Sequence, residues 1–352
     1  SNLMLKILKT NLPNFQNKLE TILDKRKFIQ RNQSTMVKKI LLDVKSKGDK
    51  ALIKFEKKFS KIQTNTKKIK FSKDEINQIS KKVDKKLKNS INIAFQRITR
   101  FHLKQKIKPY KYQDKFKNEL SYNYSPIEKI GVYVPGGTAS YPSTVLMNCI
   151  PAIVAGVKNI YLTTPALGTN VNPAIIYAAK KCGVKEIYKT GGAHSIAAFT
   201  YGTQTFKKVD KIVGPGNAFV ALAKKEVFGE VGIDMIAGPS EVTIVADKYS
   251  QPDWIASDLI AQAEHDIFAQ SILITDSKDL IKSVNASLKA QLTVLPKKNI
   301  AYKSISNYGL AIYTKTQIKI PDVINIIAPE HLEIDTKKYD RIVKKIKNAG
   351  SI

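Results

Sequence analysis

The chain has 352 residues, is 43% hydrophobic and carries a formal net charge of +30. This length and composition indicate two domains or three with buried cores. No apolar run reaches the ~18–20 residues of a membrane span, and the beginning of the chain has no secretory signal, so a membrane or secreted protein is not expected.

The positive charge is concentrated in the first part of the chain. Residues 1–130 hold 34 Lys and Arg against 11 Asp and Glu, or +23, and the remaining 222 residues carry only +7. Such a region could bind nucleic acid or an anionic membrane. We favour a solvated helical surface, because the lysines are spread through amphipathic patterns and arginine, the usual reader of base edges, is scarce. We therefore expect no nucleic-acid partner and no membrane partner.

The first 128 residues are predicted to be mainly helical. Ser72 and Glu75 have the spacing of a capping box. An apolar helical period then continues to about Lys106, before Pro109 ends it. Residues 110–128 are polar and irregular and indicate a boundary or an extended connection.

Short strands alternate with helices in the rest of the chain, which favours parallel sheets covered on both faces. For a first sheet we predict strands at 130–134, 159–163, 186–189 and 211–213, with helices at 143–157, 173–182 and 218–227. For a second sheet we predict strands at 242–246, 271–275, 310–313 and 325–327, with helices at 253–266 and 278–292.

Glycine-containing turns follow two of the predicted strands, at 134–138 and 213–217. Ligands of parallel sheets bind at the carboxyl ends of strands, where turns leave backbone N–H groups free for an anion. Neither turn is a dinucleotide fingerprint, since Phe219 stands where the third glycine of the second turn belongs. A third turn, at 238–241, adds the hydroxyl of Ser240 and a carboxylate. Each turn alone is more often structural than functional.

Asp258, Gln262 and His265 share one face of a predicted helix. Histidine can ligate zinc, and a carboxylate can orient the imidazole. Glutamine is an uncommon zinc ligand, however, and two ligands do not complete a zinc site. The residues alone therefore favour an ordinary solvated helix over a metal site.

Glu330 and His331 stand side by side just after a predicted strand. At a strand-to-helix turn both could reach one cavity, where histidine suits proton transfer and glutamate can activate water. The alternative is a helix start with Glu330 favourable to the helix dipole, and taken alone it is the better interpretation.

Cys149 is interpreted as a small core residue and not as a thiol nucleophile, because no basic group lies near it in sequence. Two cysteines without a disulfide framework fit a reducing cytoplasm.

Taken together, these segments resemble the histidinol dehydrogenase family. The matching motifs include VPGGTA (134–139), VGPGNAFV (213–220), GPSEV (238–242), AQAEHD (261–266) and PEHL (329–332), in family order from about residue 20 to the end. The resemblance implies an α/β fold of two incomplete Rossmann-like domains with parallel sheets, the second inserted in the first, plus N-terminal helices. The expected domains are an N-terminal helical arm (1–30), a discontinuous first α/β domain (31–128 with 240–352) and a second, NAD-binding α/β domain (129–239).

The resemblance also implies a function and roles for particular residues. The implied activity is the zinc- and NAD-dependent oxidation of L-histidinol to L-histidine through L-histidinaldehyde, the last steps of histidine biosynthesis, in a cytoplasmic homodimer. Gln262 and His265 match zinc ligands, and the zinc would bind substrate nitrogens. His331 matches the base that takes the proton as hydride leaves, and Glu330 matches the residue that activates water. Ser240, Gln262, His265 and His331 match substrate-binding positions.

Tyr133, His194 and Asn217 match NAD-contacting positions, although the family usually has Gln where this chain has His194. The family's further zinc-binding Asp and His, and a substrate-binding Glu given across the dimer, come from a C-terminal segment that we expect to be absent here. We accordingly expect a chain of this length to bind zinc poorly and to have little activity. The alternatives are a related amino-alcohol or polyol dehydrogenase and a noncatalytic, basic nucleic-acid-binding protein.

Overall fold

A computed structural model describes residues 4–26, 33–136, 142–166, 171–296 and 298–352. The chain divides into two compact units, of which one lies within the other in sequence. The split unit contains residues 1–31 and 238–352, and the inserted unit contains residues 32–237. The prediction of an α/β fold with one α/β domain inserted in another is thereby confirmed.

Strands and helices alternate over most of both units. The strands are β1 (Lys6–Lys9), β2 (Tyr110–Gln113), β3 (Glu119–Tyr122), β4 (Lys129–Tyr133), β5 (Asn159–Thr163), β6 (Glu186–Tyr188), β7 (Lys211–Val213), β8 (Gly232–Ile233), β9 (Glu241–Ala246), β10 (Gln270–Thr275), β11 (Leu310–Tyr313) and β12 (His331–Asp335). The α-helices are α1 (Phe15–Asp24), α2 (Ser34–Lys47), α3 (Asp49–Phe55), α4 (Lys73–Lys81), α5 (Lys85–Gln105), α6 (Pro142–Ala155), α7 (Pro173–Lys181), α8 (Gly192–Tyr201), α9 (Ala218–Val227), α10 (Pro252–Ala263), α11 (Lys278–Val294), α12 (Lys298–Tyr308), α13 (Ile320–Ile327) and α14 (Tyr339–Val343).

The split unit is a parallel sheet between two layers of helices. Its strands lie in the order β1-β11-β10-β9-β12, and every neighbouring pair is parallel. Successive side chains of a strand point to opposite faces, so Ile244 of β9 packs with helices α10, α11 and α12. Val245, the next residue, packs with helices α1, α13 and α14 on the other face.

One predicted strand of the split unit was wrong. Residues 325–327, predicted as a strand, form the last turn of helix α13, because Ile320, Val323, Ile324 and Ile327 recur at helical spacing and are all buried. The strands that join β9, β10 and β11 are instead β12 and the N-terminal β1, which pairs with β11. The first 30 residues therefore contribute a strand to the sheet as well as helix α1.

The inserted unit has a second parallel sheet, in the order β6-β5-β4-β7-β8. One core cluster contains side chains of α2, α8 and α9, and another contains those of α5, α6 and α7. Helices from residues 32–128 thus pack with the sheet of residues 129–237, so the compact units differ from the predicted domains, which grouped 31–128 with 240–352. A sequence period identifies the apolar face of a helix but not the sheet that covers it.

The predicted helical stretch after Ser72 consists of two helices. The capping box is present, since Ser72 Oγ accepts a hydrogen bond from Glu75 N and Glu75 Oε2 accepts one from Ser72 N. Helix α5 begins after Asp84, its N-cap residue, whose carboxylate accepts a hydrogen bond from Leu87 N at 2.8 Å.

The region 110–128, predicted as irregular, contains the antiparallel hairpin β2–β3, in which Tyr110 pairs with Tyr122. Among the helices of the described ranges, none combines the length and the apolar character of a bilayer span.

Candidate active site

The predicted catalytic and substrate-binding residues of the split unit lie at the amino edge of its sheet. His331 is the first residue of β12 and stands opposite Val242 of β9, just after the Ser240 position. Gln262 lies in the last turn of α10, and His265 lies in the connection from α10 to β10. The chain reaches Glu330 from helix α13 and continues into strand β12, so the predicted strand-to-helix turn was wrong.

The main chain around Glu330 is held by the segment at 350–351. Gly350 N donates to Pro329 O at 3.0 Å, and Ser351 N donates to Glu330 O at 2.9 Å. A Cβ at Gly350 would lie 2.6 Å from Glu330 O, which is too close for any side chain. Glycine at this position therefore allows the two segments to approach and fixes the backbone from which the Glu330 side chain projects.

The side chains of Glu330 and His331 have different partners. Glu330 Oε2 accepts a hydrogen bond from the backbone N–H of Glu241 at 3.3 Å, and His331 Nδ1 lies 3.3 Å from Gln262 Oε1. An amide oxygen only accepts, so Nδ1 carries the hydrogen of this bond. A neutral His331 consequently keeps its lone pair on Nε2, where it can take a proton. Both side chains are exposed to solvent.

A carboxyl pair lies beside this edge. Glu333 is two residues after His331 on β12, and therefore on the same face of the strand. Burial, the charge and hydrogen bond of Asp258 and the charge of Asp335 raise the pKa of Glu333 from 4.5 to about 7. The sequence suggested that Asp258 could orient a metal-bound histidine, whereas the structure pairs it with Glu333.

Gln262 and His265 fit only part of a zinc site. Helix α10 ends at Ala263, so His265 lies beyond the helix and not on the predicted continuous face; its backbone N–H bonds to Gln262 O at 3.3 Å. Zinc sites need three or more protein ligands. Within the described ranges, no three His, Cys, Asp or Glu residues come together as a metal site. These two side chains therefore do not make a complete site by themselves.

The predicted NAD-contacting residues lie at the carboxyl edge of the inserted unit's sheet. Tyr133 ends β4, His194 lies in the first turn of α8 after β6, and Asn217 is the N-cap of α9 after β7. This is the edge at which parallel sheets bind ligands. Residues 137 and 138 of the first predicted glycine turn lie outside the described residues.

Tyr133 and His194 belong to one buried network. The Tyr133 hydroxyl accepts a hydrogen bond from Gly192 N at 2.9 Å, and burial raises the pKa of Tyr133 to about 12. His194 Nε2 lies 2.7 Å from Glu56 Oε1, which also accepts a hydrogen bond from Gly191 N at 3.1 Å. His194 Nδ1 is buried and has no hydrogen-bond partner among the described residues. The network thus leaves one polar atom that a bound molecule could pair with.

The second glycine turn is held by a buried lysine. Lys224 is 1% exposed, donates to Gly214 O at 2.8 Å and forms an ion pair with Asp234. Asp234 Oδ2 in turn accepts a hydrogen bond from Gly214 N at 2.8 Å. Asn217 caps the following helix through Val220 N. Lys224 binds the C=O of Gly214 and Asp234 binds its N–H. Together they fix the turn that presents Asn217.

Sequence reasoning missed Arg26, Glu56 and Lys224. Arg26 and Glu56 belong to predominantly helical stretches with no motif of their own. Lys224 carried a usable signal, since it lies among the buried positions Val220, Ala223 and Val227 of α9, where an unpaired ammonium is not tolerated.

The interpretation of Cys149 as a core residue is confirmed: it is fully buried, and hydrogen bonding to Cys182 and burial raise the pKa of its thiol.

Known proteins resemble this chain in sequence and in fold. The histidinol dehydrogenase family model matches residues 23–352. Histidinol dehydrogenase of Pelagibacter ubique (strain HTCC1062) is 54% identical over 350 residues, which are 99% of this chain and 81% of that protein. The enzyme of Agrobacterium fabrum (strain C58 / ATCC 33970) is 45% identical over 338 residues, 96% of this chain and 78% of that protein.

A solved structure is similar over the whole chain. The crystal structure of histidinol dehydrogenase from Elizabethkingia anophelis superposes with a TM-score of 0.90 at 37% identity, and the match covers 100% of this chain and 80% of that one. Agreement in sequence and in fold leads to one conclusion. The chain belongs to the histidinol dehydrogenase family.

Proposed function

We propose that this protein catalyses the zinc- and NAD-dependent oxidation of L-histidinol to L-histidine through L-histidinaldehyde. The observation that carries the proposal is the placement of Glu330 and His331 at the edge that also holds Ser240 and Gln262. This placement occurs in a chain that is 54% identical to a histidinol dehydrogenase. The homodimer and the cytoplasmic location that the resemblance implies are part of the same proposal.

His331 is the proposed general base. Its Nδ1 is engaged by Gln262 Oε1 at 3.3 Å, so Nε2 is the atom that takes the proton from the substrate hydroxyl in the first oxidation. An imidazole can take up this proton and pass it to solvent before the next step. Its exposure supports this role, because a solvated base is readily returned to its neutral form.

Glu330 is the proposed activator of water in the second oxidation. Its carboxylate takes a proton from a water molecule, whose oxygen attacks the carbonyl carbon of the aldehyde to give a hydrated intermediate. The hydrogen bond from Glu241 N holds one carboxylate oxygen, and the other oxygen is available for water. The first oxidation needs no water, so Glu330 acts only after the aldehyde has formed.

Tyr133, His194 and Asn217 are proposed to hold NAD, which supplies the hydride acceptor in both oxidations when it is bound. Their common position at the carboxyl edge of a parallel sheet supports this, as does the unpaired Nδ1 of His194. Gln262 and His265 are proposed as zinc ligands. They provide only part of a zinc site.

The test is to follow NADH formation by the purified protein with L-histidinol, L-histidinaldehyde and a panel of other amino alcohols and polyols. We expect two NADH for each L-histidinol consumed, and L-histidine as the product. Turnover of another alcohol in preference to L-histidinol would contradict the proposal and favour a related dehydrogenase.

A further inference from the structure

Arg26 is a buried arginine whose guanidinium group is surrounded by acceptors from distant parts of the split unit. It is 8% exposed. Its Nε donates to Phe268 O at 2.8 Å and its Nη2 donates to Pro239 O at 2.7 Å. Its Nη1 donates to Glu241 Oε2 at 2.9 Å and to Gln270 Oε1 at 3.1 Å. All three guanidinium nitrogens are therefore used.

These acceptors lie in the two connections that lead into neighbouring strands. Pro239 and Glu241 flank Ser240 at the start of β9, and Phe268 and Gln270 lie at the start of β10. The two starts are also joined directly, since Gln270 N donates to Ser240 O at 3.0 Å. Arg26 thus ties together the amino ends of β9 and β10, the edge at which the candidate active site lies.

Glu241 connects Arg26 to Glu330. The carboxylate of Glu241 pairs with the guanidinium group, and the backbone N–H of the same residue donates to Glu330 Oε2. The position of that N–H depends on the conformation of the 239–241 turn, which Arg26 holds through a main-chain carbonyl and a side chain. A displacement of the turn consequently moves the donor that orients Glu330.

We propose that Arg26 is a positioning residue for Glu330, acting through the 239–241 turn. Its hydrogen bonds in the described part of the chain go to neither Glu330 nor His331, and to none of the proposed cofactor-contacting residues. Lysine cannot replace it, because an ammonium group lacks the planar fork that reaches several acceptors at fixed angles. This inference rests on the proposed function, in which Glu330 acts only in the oxidation of the aldehyde.

Because Glu330 acts only on the aldehyde, a comparison of the two oxidations separates a positioning role of Arg26 from a role in general stability. In Arg26→Lys, NADH formation from L-histidinaldehyde should fall by about 10–100-fold, the range that a small misplacement of a reacting group can cause. Oxidation of L-histidinol to the aldehyde, measured as the first NADH in a single turnover, should fall much less. Glu241→Gln keeps an oxygen acceptor for Arg26 but removes its charge and should lie between wild type and Arg26→Lys, whereas Glu241→Ala should resemble Arg26→Lys. Arg341→Lys, a change at an exposed arginine of α14, is the control.

The inference would be overturned if Arg26→Lys slowed both oxidations equally, or if it slowed neither of them. Hydrogen exchange gives a second measurement that needs no activity: the backbone amide of Glu241 should exchange about tenfold faster in Arg26→Lys than in Arg341→Lys. An unchanged exchange rate would also overturn it. If the wild-type protein does not oxidise L-histidinol, the proposed function fails, and the exchange measurement still decides whether Arg26 holds the turn.

Discussion

The imidazole of His194 and the carboxylate of Glu56 form a buried pair, with His194 Nε2 2.7 Å from Glu56 Oε1. The same oxygen accepts the backbone N–H of Gly191, at the point where β6 leads into α8. Since a carboxylate accepts, Nε2 carries a hydrogen. Glu56 therefore fixes both the orientation of His194 and the start of the helix beside the proposed NAD site.

Replacing Glu56 by Ala should weaken NAD binding and destabilise the protein. The change leaves Gly191 N and His194 Nε2 unpaired in a buried place, which costs about 2–6 kcal/mol in the free energy of unfolding at about 1–3 kcal/mol for each group. Glu56→Gln keeps one acceptor oxygen and should lose less. NAD titrations followed by intrinsic fluorescence, with urea unfolding alongside, measure both effects. If Glu56→Ala and wild type bind NAD equally, His194 has no part in the cofactor site.

Replacing His331 by Gln should lower turnover of L-histidinol by about 10²–10⁴-fold, the usual contribution of a general base. Glutamine has similar size and polarity but cannot take the proton. NAD affinity should be unchanged, because the proposed NAD contacts Tyr133, His194 and Asn217 all belong to the inserted unit. Steady-state NADH formation and NAD titration measure the two quantities. Retention of more than a tenth of the wild-type turnover would rule out His331 as the base.

Replacing Lys224 by Met should destabilise the protein by about 2–3 kcal/mol. The change leaves Asp234 without its cation and Gly214 O without its donor, and breaking a buried pair from one side costs about 3–5 kcal/mol. The lower value is expected here because the Asp234 side chain is 28% exposed. Thermal and urea unfolding provide the measurement. In the double variant Lys224→Met with Asp234→Asn the two losses should not add, because both changes break one interaction.

Gly214→Ala and Gly183→Ala form a matched pair. Both glycines have positive φ, +112° and +70°, but a Cβ at Gly214 would lie 2.1 Å from Tyr133 O, whereas nothing lies within 4 Å of a Cβ at Gly183. Gly183→Ala should cost about 1–2 kcal/mol, the penalty of left-handed backbone. Gly214→Ala must also displace the backbone of β4 and should unfold at clearly lower urea concentration. Equal midpoints in the two variants would contradict this account of the turn.

Glu333 should give the stability of the protein a measurable pH dependence. Its folded-state pKa is raised from 4.5 to about 7, so between these values the folded protein keeps a proton that the unfolded chain loses. The free energy of unfolding therefore falls as pH rises through this window and is highest, for this group, below pH 4.5. Because Glu333 is largely exposed and its carboxyl group is only partly withdrawn from water, about 1 kcal/mol is expected. Urea unfolding of Glu333→Gln should show a flatter profile from pH 5 to 8 than wild type or Glu20→Gln.

The local pattern of the sequence was sufficient for elements whose burial repeats regularly. The strand Lys211–Val213 and the helix Ala218–Val227 have the predicted bounds, and the capping box at Ser72 is present, because each depends on residues a few positions apart. Strand β12 was missed because only Leu332 in it is fully buried, and a sheet-edge strand of this kind has no apolar run to detect. The motif at Glu330 and His331 was recognised, but the elements on either side of it were not.

Only the tertiary structure decided which distant segments meet. Arg26 and Glu241 are 215 positions apart, and Glu56 and His194 are 138 apart, so no local period connects them. The helices before residue 129 could have covered either sheet, since an apolar stripe fits any apolar surface of matching shape. The sequence by itself determined the α/β class, the family and the candidate site residues, because these reside in short segments. The residues that hold these site residues in place, such as Arg26 and Glu56, were decided by packing, because a buried charge is stable only where the fold brings it a partner.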